Sequence, residues 1–265
     1  MDILIPTYNR PAALAVTLTS LLAQELTLRI VISDQSDTEA LRAPEVKAIC
    51  RVLEAYGHTV VWHRHRPRRG LAEQRDFLLS QTRSRCALFL DDDVILAPQG
   101  LAPLRATLRE EACGFVGYGL IGLSYRNDRR PHEQEVEYWT GPVQPEVVTP
   151  GSRAWERYKL HNAANLHHLA DRVSGPRRYR VAWIGGCVLY DVSCLRAVGG
   201  FSFWRDLPPS HCGEDVLAQL RVMARFGGCG LLPSRAYHQE LPTTVAEREV
   251  DAAKRLFADP YPSCE

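Results

Sequence analysis

The stretch CALFLDDDVILAP (residues 86–98) sets three consecutive carboxylates between two apolar runs. CALFL reads as a buried strand, and VILAP leads to Pro98, a start signal for the next helix. Adjacent like charges repel and Asp is a poor strand former, so a purely structural role is unattractive. A divalent ion reverses that balance, because hard cations take carboxylate oxygens together with substrate phosphates. Along extended chain Asp91 and Asp93 point one way and Asp92 the other. That makes a D-x-D pair at the carboxyl end of a strand, where open α/β sheets bind their ligands. The alternative is a polar strand-to-helix loop.

Working back from this stretch, DILIP (2–6) is a strand closed by Pro6, and Pro11 fits the first turn of a helix with Asn9 as its cap. Leu14, Leu18, Leu21 and Leu22 have helical spacing. LRIVIS (28–33) is a second strand, 39–56 a second helix stopped by Gly57, HTVVWH (58–63) a third strand, and GLAEQRDFLLSQT (70–82) a third helix. CGFVGYGL (113–120) gives a further strand. Strand and helix alternate through residue 120, which predicts a parallel sheet flanked by helices. Each polar cluster there (7–10, 34–37, 64–69, 91–93) follows a strand, so right-handed crossovers gather all four along one edge of the sheet.

Beyond residue 120 the periodicity weakens and prolines punctuate the chain. AWERYKLHNAANLHHLADR (154–172) reads as one helix, VAWIGGCVLYD (181–191) as a buried strand, and GEDVLAQLRVMARF (213–226) as a helix with its acidic pair in the first turn. CGLLP is a last short strand, Tyr237 and His238 follow, and 244–257 is a terminal helix. His161, His167 and His168 do not have a convincing metal spacing; a solvated helix face accounts for them.

Composition narrows the function. Lys plus Arg (32) nearly equals Asp plus Glu (31), so no overall field points to nucleic acid or to a membrane. The local exception is Arg64, Arg66, Arg68 and Arg69, a solvated edge or a phosphate attractor. Eight cysteines without a C-x-x-C pair or zinc spacing suggest a reduced, cytoplasmic protein. A first strand at Asp2 leaves no expected room for a signal peptide, and no apolar run approaches the length of a membrane span. Peripheral membrane contact stays open.

PTYNR (6–10), Asp34 closing the second strand, GLAEQRD (70–76), the D-x-D, Gly185-Gly186 before a strand and Gly213-Glu214-Asp215 opening a helix occur in an order that resembles the family 2 (GT-A) glycosyltransferases. The resemblance covers residues 1 to about 240. It implies a GT-A, Rossmann-like, mostly parallel central sheet flanked by helices, with a nucleotide-sugar half (1–120) and an acceptor half (121–265) in one domain. It also implies transfer of a sugar from a nucleotide-sugar, UDP-linked by family prior, to an acceptor hydroxyl, with Mn²⁺ or Mg²⁺ as cofactor.

By the same resemblance Pro6, Thr7, Tyr8, Arg10 and Asp34 hold the nucleotide, although Gln35-Ser36 replaces the family's usual glycine; an Asx turn is the other reading of Asp34. Gly70 and Arg75 match a Gly-x-x-x-x-Arg-Asn element in which Asp76 replaces the Asn, and a surface Arg is the alternative. Asp91 and Asp92 belong to the donor site, Asp93 binds metal, and His238 matches a metal ligand of some relatives or is structural. Asp215 is the general base of inverting members and Glu214 positions acceptor or metal. Helix capping is the competing account of the acidic pair, although the helix dipole would also keep a base ionised. Gly185 and Gly186 allow close approach to sugar or acceptor, or form a bulge. Trp204, with Trp183, Phe201 and Phe203, flanks this second site as sugar-facing or core aromatics. The enzymatic rivals are a retaining transferase of the same fold and a nucleotidyltransferase. The non-enzymatic rival is a degenerate nucleotide- or glycan-binding module.

Overall fold

In the computed structural model of the chain, residues 1–122, 124, 135–161, 166, 167, 169, 173–245 and 248–256 are described. The apolar run after Met1 forms β1 (Asp2–Thr7), all of it buried. Then α1 (Pro11–Ser20), β2 (Arg29–Asp34), α2 (Pro44–Ala55), β3 (Thr59–Arg64), α3 (Leu71–Ser80) and β4 (Cys86–Leu90) follow in strict alternation. β1 pairs in parallel with β2 on one side and β4 on the other, and β2 pairs with β3. Helices cover both faces, so both faces of the strands are apolar. Leu4 and Val31 join a core with α3, whereas Ile3, Ile5, Ile30 and Ile32 join one with α1 and α2. Asn9 does not cap α1. It adopts φ 56° and donates to Asp37 (2.8 Å), and Arg10 takes the N-cap position.

The chain continues through β5 (Val94–Leu96), α4 (Leu101–Glu111), β6 (Phe115–Gly117), β7 (Arg177–Tyr179), β8 (Cys187–Asp191), α5 (Val192–Ala197), β9 (His211–Cys212), α6 (Glu214–Phe226), β10 (Gly228–Leu232), β11 (Ala236–His238), β12 (Val250–Asp251) and α7 (Ala252–Leu256). One sheet of eight strands has the order β3-β2-β1-β4-β8-β6-β10-β7. It is mostly parallel; β8 opposes β4 and β6, and β7 opposes β10.

Several expected elements come out shorter, among them the strand expected over 113–120, of which only β6 forms. Of the strand expected over 181–191, only β8 forms. Gly186 turns at φ 70°, and the fully buried Gln219 of α6 donates to Ile184 O (2.7 Å) while accepting from its N–H (2.8 Å). One side chain thus replaces the ladder bonds of that stretch and leaves it to turn. The helix expected over 154–172 begins as a 3-10 helix at Arg153–His161, and most of the remainder, His168 included, lies outside the described residues. In place of a helix from 244, Thr243 Oγ1 accepts from Val245 N–H (3.2 Å) and β12 pairs with β9, so α7 begins only at Ala252. Among the described residues no helix is long and apolar enough to cross a membrane, and the seven cysteines are free.

Candidate active site

β1 and β4 lie side by side and end at the same edge, so the loops that follow them meet. Asp91 to Asp93 do not continue the strand. They form a turn in which Val94 N–H donates to Asp91 O (3.3 Å), and the alternation of extended chain gives way to a separate partner for each carboxylate. Asp92 accepts from the Thr7 hydroxyl at 2.6 Å. Asp93 pairs with Arg10 Nη1 at 2.5 Å. Asp91 pairs with Arg75 Nη2 at 2.9 Å. Burial pushes the Asp92 carboxyl up to about 7, against the Thr7 bond. It acts the same way on Asp93, where bonds from His238 and Arg10 prevail and hold the carboxyl below its ordinary range.

His238 reaches this turn through a small second sheet. β11 runs antiparallel to β5 with His238 opposite Val94, which sets its Nε2 3.4 Å from Asp93. Its Nδ1 accepts from Glu240 N–H (2.8 Å), which leaves the Nε2 proton directed at Asp93. In this tautomer Nε2 is the donor toward Asp93, and a metal at Nε2 would take the place of that proton. Among the described residues no three His, Cys, Asp or Glu side chains are grouped to hold a metal. The carboxylates nevertheless suit a hard ion of the kind bound by one or two protein oxygens and completed by phosphate oxygens and water.

The second acidic site opens α6, after Gly213 at φ 73°. Arg75 joins it to the first: its Nε donates to Glu214 at 3.2 Å while its Nη2 holds Asp91. Burial opposes the charge of this guanidinium, but Asp91, Glu214 and Asp215 outweigh it and keep the group protonated. For Asp215 the helix terminus does not dominate. Burial, and then the neighbouring Glu214, raise its carboxyl well above the ordinary range, so it attracts a proton more strongly than an exposed Asp. Gly185 and Gly186 line the gap between the acidic sites. A Cβ on Gly186 would fall 2.6 Å from Leu120 and 3.3 Å from Asp91 Oδ2, at a left-handed φ that favours glycine.

These groups line one cleft of about 490 Å³, within the range of small-molecule sites. Pro6, Thr7, Tyr8, Arg10, Arg75, Asp91, Asp92, Asp93, Gly185, Gly186, Glu214, Asp215 and His238 all border it. Asp34, Gly70 and Trp204 do not. Asp34 is fully buried and accepts from Ser36 N–H (2.8 Å) and Ala40 N–H (2.7 Å), closing the turn after β2. Gly70 precedes α3 at φ 102°, packed under His211, whose Nε2 accepts from Ala72 N–H (3.1 Å). The Trp204 indole donates to Asp76 at 3.0 Å.

The cleft is also bordered by residues that sequence reasoning did not single out. Arg68 lies over the Tyr8 ring at 4.0 Å, a position foreshadowed by the basic cluster, while Arg64 and Arg66 brace the turn after β2. Gln74, Tyr158 and His211 contribute side chains, and Thr243, Thr244 and Arg248 come from the segment after β11. That segment is tied to the first loop through Arg10 Nη2, which donates to Pro242 O. No short motif signals it.

The family model described as glycosyl transferase family 2 matches residues 2–183, more than half of the chain. The chain belongs to glycosyl transferase family 2. Solved structures with the same GT-A fold include S. aureus TarS in complex with UDP-GlcNAc, at 16% identity and TM-score 0.58, covering 92% of this chain and 59% of that one. The mannosyltransferase PcManGT from Pyrobaculum calidifontis, in complex with GDP-Man and Mn²⁺, matches at 15% identity and TM-score 0.55, over 92% of this chain and 58% of that one. GalNAc-T7 with UDP, GalNAc and Mn²⁺ matches at 15% identity and TM-score 0.59, over 92% and 45%. The family 2 chain thus spans well under two thirds of the length of these structures. No curated protein matches it by sequence.

Proposed function

We propose that this chain transfers a sugar from a nucleoside-diphosphate sugar to an acceptor hydroxyl with inversion at the anomeric carbon. The observation that carries the reading is the single cleft in which Arg75 couples the Asp91–Asp93 turn to the acidic opening of α6. The family and the nucleotide-sugars in the GT-A neighbours support the donor class, with UDP first. Residues 1–120 take the nucleotide, between Tyr8 with Arg68 and the Asp turn, and residues 121–265 take the acceptor.

Asp215 removes the proton of the acceptor hydroxyl, and its raised proton affinity suits that task. The acceptor oxygen forms a bond to the anomeric carbon as the bond from that carbon to the diphosphate oxygen breaks, and the electron pair leaves with the nucleoside diphosphate. A divalent ion held by Asp93 together with diphosphate oxygens would supply charge neutralisation on the leaving group. Arg10 and the Nε2–H of His238 stand at the same turn and give positive potential there from the chain itself. Free cysteines support a reducing, cytoplasmic setting.

The test is a thermal-shift panel of UDP, GDP, dTDP and CDP with and without Mn²⁺, followed by turnover with the nucleotide-sugar it selects. A ligand at about 100 times its Kd stabilises by roughly 2.7 kcal/mol. The expected result is a metal-dependent shift with one nucleotide that is lost in Asp93→Ala, and an Asp215→Asn protein that keeps the shift but loses turnover. Undiminished turnover in Asp215→Asn removes the assigned base, and the absence of any shift removes the donor site.

A further inference from the structure

We infer that the acceptor is itself a carbohydrate, with one sugar ring seated against Trp183 and Tyr158 and its reacting hydroxyl directed at Asp215. The inference rests on the transferase reading above and names its substrate class. Trp183 precedes Gly185, and both border the cleft. A Cβ at Gly185 would lie 3.0 Å from Trp183 Cζ3 and 3.9 Å from Asp215 Oδ2. The missing side chain therefore leaves the indole edge and the carboxylate open to the same small volume.

The indole is held in place from behind. Its N–H donates to Tyr158 O (3.2 Å), its ring lies 5.3 Å from the Tyr158 ring, and Tyr158 stacks on Trp155 at 4.9 Å. Three aromatic rings form a ladder whose last two members face the cleft. Tyr158 also approaches the acidic end: burial and then Asp251 and Asp215 push its phenol up to about 12, so it stays an O–H donor.

Two fixed aromatic rings at the cleft wall, one of them a phenol, beside a carboxylate suit a ligand that carries both C–H groups and hydroxyls. The rest of the wall agrees, since Thr243, Thr244, Arg248 and Asp251 offer polar groups. An acyl chain laid there would take water from those groups and offer no hydrogen bond in return, at a cost for each. The other aromatics near α6 are not available: Phe201 and Phe203 are buried in the core, and Trp204 is turned to Asp76. Tyr8 and Arg68 stand on the β1–β3 side of the sheet, across β4 from the approach to β8, so the two aromatic sites are separate.

The test is saturation-transfer NMR on the full chain with UDP and Mn²⁺ present. The probes are methyl glycosides of glucose, galactose, mannose, N-acetylglucosamine and N-acetylgalactosamine, with octyl phosphate and a Ser/Thr peptide as rivals. Expected is saturation on ring C–H protons of at least one glycoside, affinity about tenfold weaker in Trp183→Ala, and near-wild-type binding in Trp183→Phe, which keeps a flat ring. The metal-dependent UDP shift should be unchanged in both variants, which shows that they are folded and that the donor site is intact.

Binding of the peptide or octyl phosphate without any glycoside overturns the inference. Glycoside binding that Trp183→Ala leaves untouched does the same, and so does the absence of any glycoside signal while the UDP shift persists. A wild-type protein that shows neither UDP shift nor glycoside signal brings down the transferase reading as well, whereas glycoside binding without the UDP shift brings down the donor site alone.

Discussion

Replacing Arg75 by methionine is expected to remove stability in a way that depends on pH. The guanidinium side chain is 4% exposed and neutralises Asp91 at 2.9 Å and Glu214 at 3.2 Å. Methionine keeps much of the apolar stem, so the change isolates the charge. Deleting one partner of a buried ion pair costs about 3–5 kcal/mol, because the survivor stays buried and unpaired. Asp91 retains 33% exposure and can be hydrated, whereas Glu214 is 4% exposed, so most of the cost falls on Glu214. For a chain near this size that lowers Tm by roughly 6–20 °C. The sign with pH follows from the missing cation. Burial already raises the Asp91 carboxyl against the pull of Arg75, so without that cation its folded pKa lies further above the unfolded one, and stability falls as pH rises between the two. Urea denaturation of wild type and Arg75→Met at about pH 8 and about pH 5 reads this directly, with the larger deficit expected at the higher pH. A variant as stable as wild type at the higher pH, or a deficit equal at both, refutes the electrostatic account.

Two further outcomes follow from single side chains. Gln219→Leu strips both partners from the Ile184 backbone and should lower stability by about 3 kcal/mol; a loss under about 1 kcal/mol by chemical denaturation would mean that the 181–186 stretch is held in another way. Glu214→Gln removes a negative neighbour of Asp215, so the folded pKa of Asp215 falls and the acid limb of kcat/KM moves to lower pH. A limb that stays in place, or moves up, in a pH–rate profile separates Asp215 from the base role.

The first half of the architecture is legible in the apolar pattern alone. Apolar runs of strand length alternate with helical spacing through residue 120, and burial on both faces of a parallel sheet is written into those runs locally. The same reading located chemistry at strand ends, and the turn around Asp34 was legible as an Asx turn because its partners, Ser36 and Ala40, lie within six residues.

Which groups work together depends on contacts between elements far apart in the chain. Thr7 meets Asp92 across 85 positions and Arg75 meets Glu214 across 139, and local periodicity carries no information about such pairs. His238 reaches Asp93 only because β11 pairs with β5, and Trp183 opens onto the cleft because Gln219 takes over the Ile184 backbone. Trp204 and Trp183 read alike in sequence. One found a half-buried carboxylate to bond, Asp76, and the other was left at a cleft wall by a glycine. Apolar pattern is a property of neighbouring residues, whereas the partner of a buried polar group is set by which strands and helices come to lie side by side.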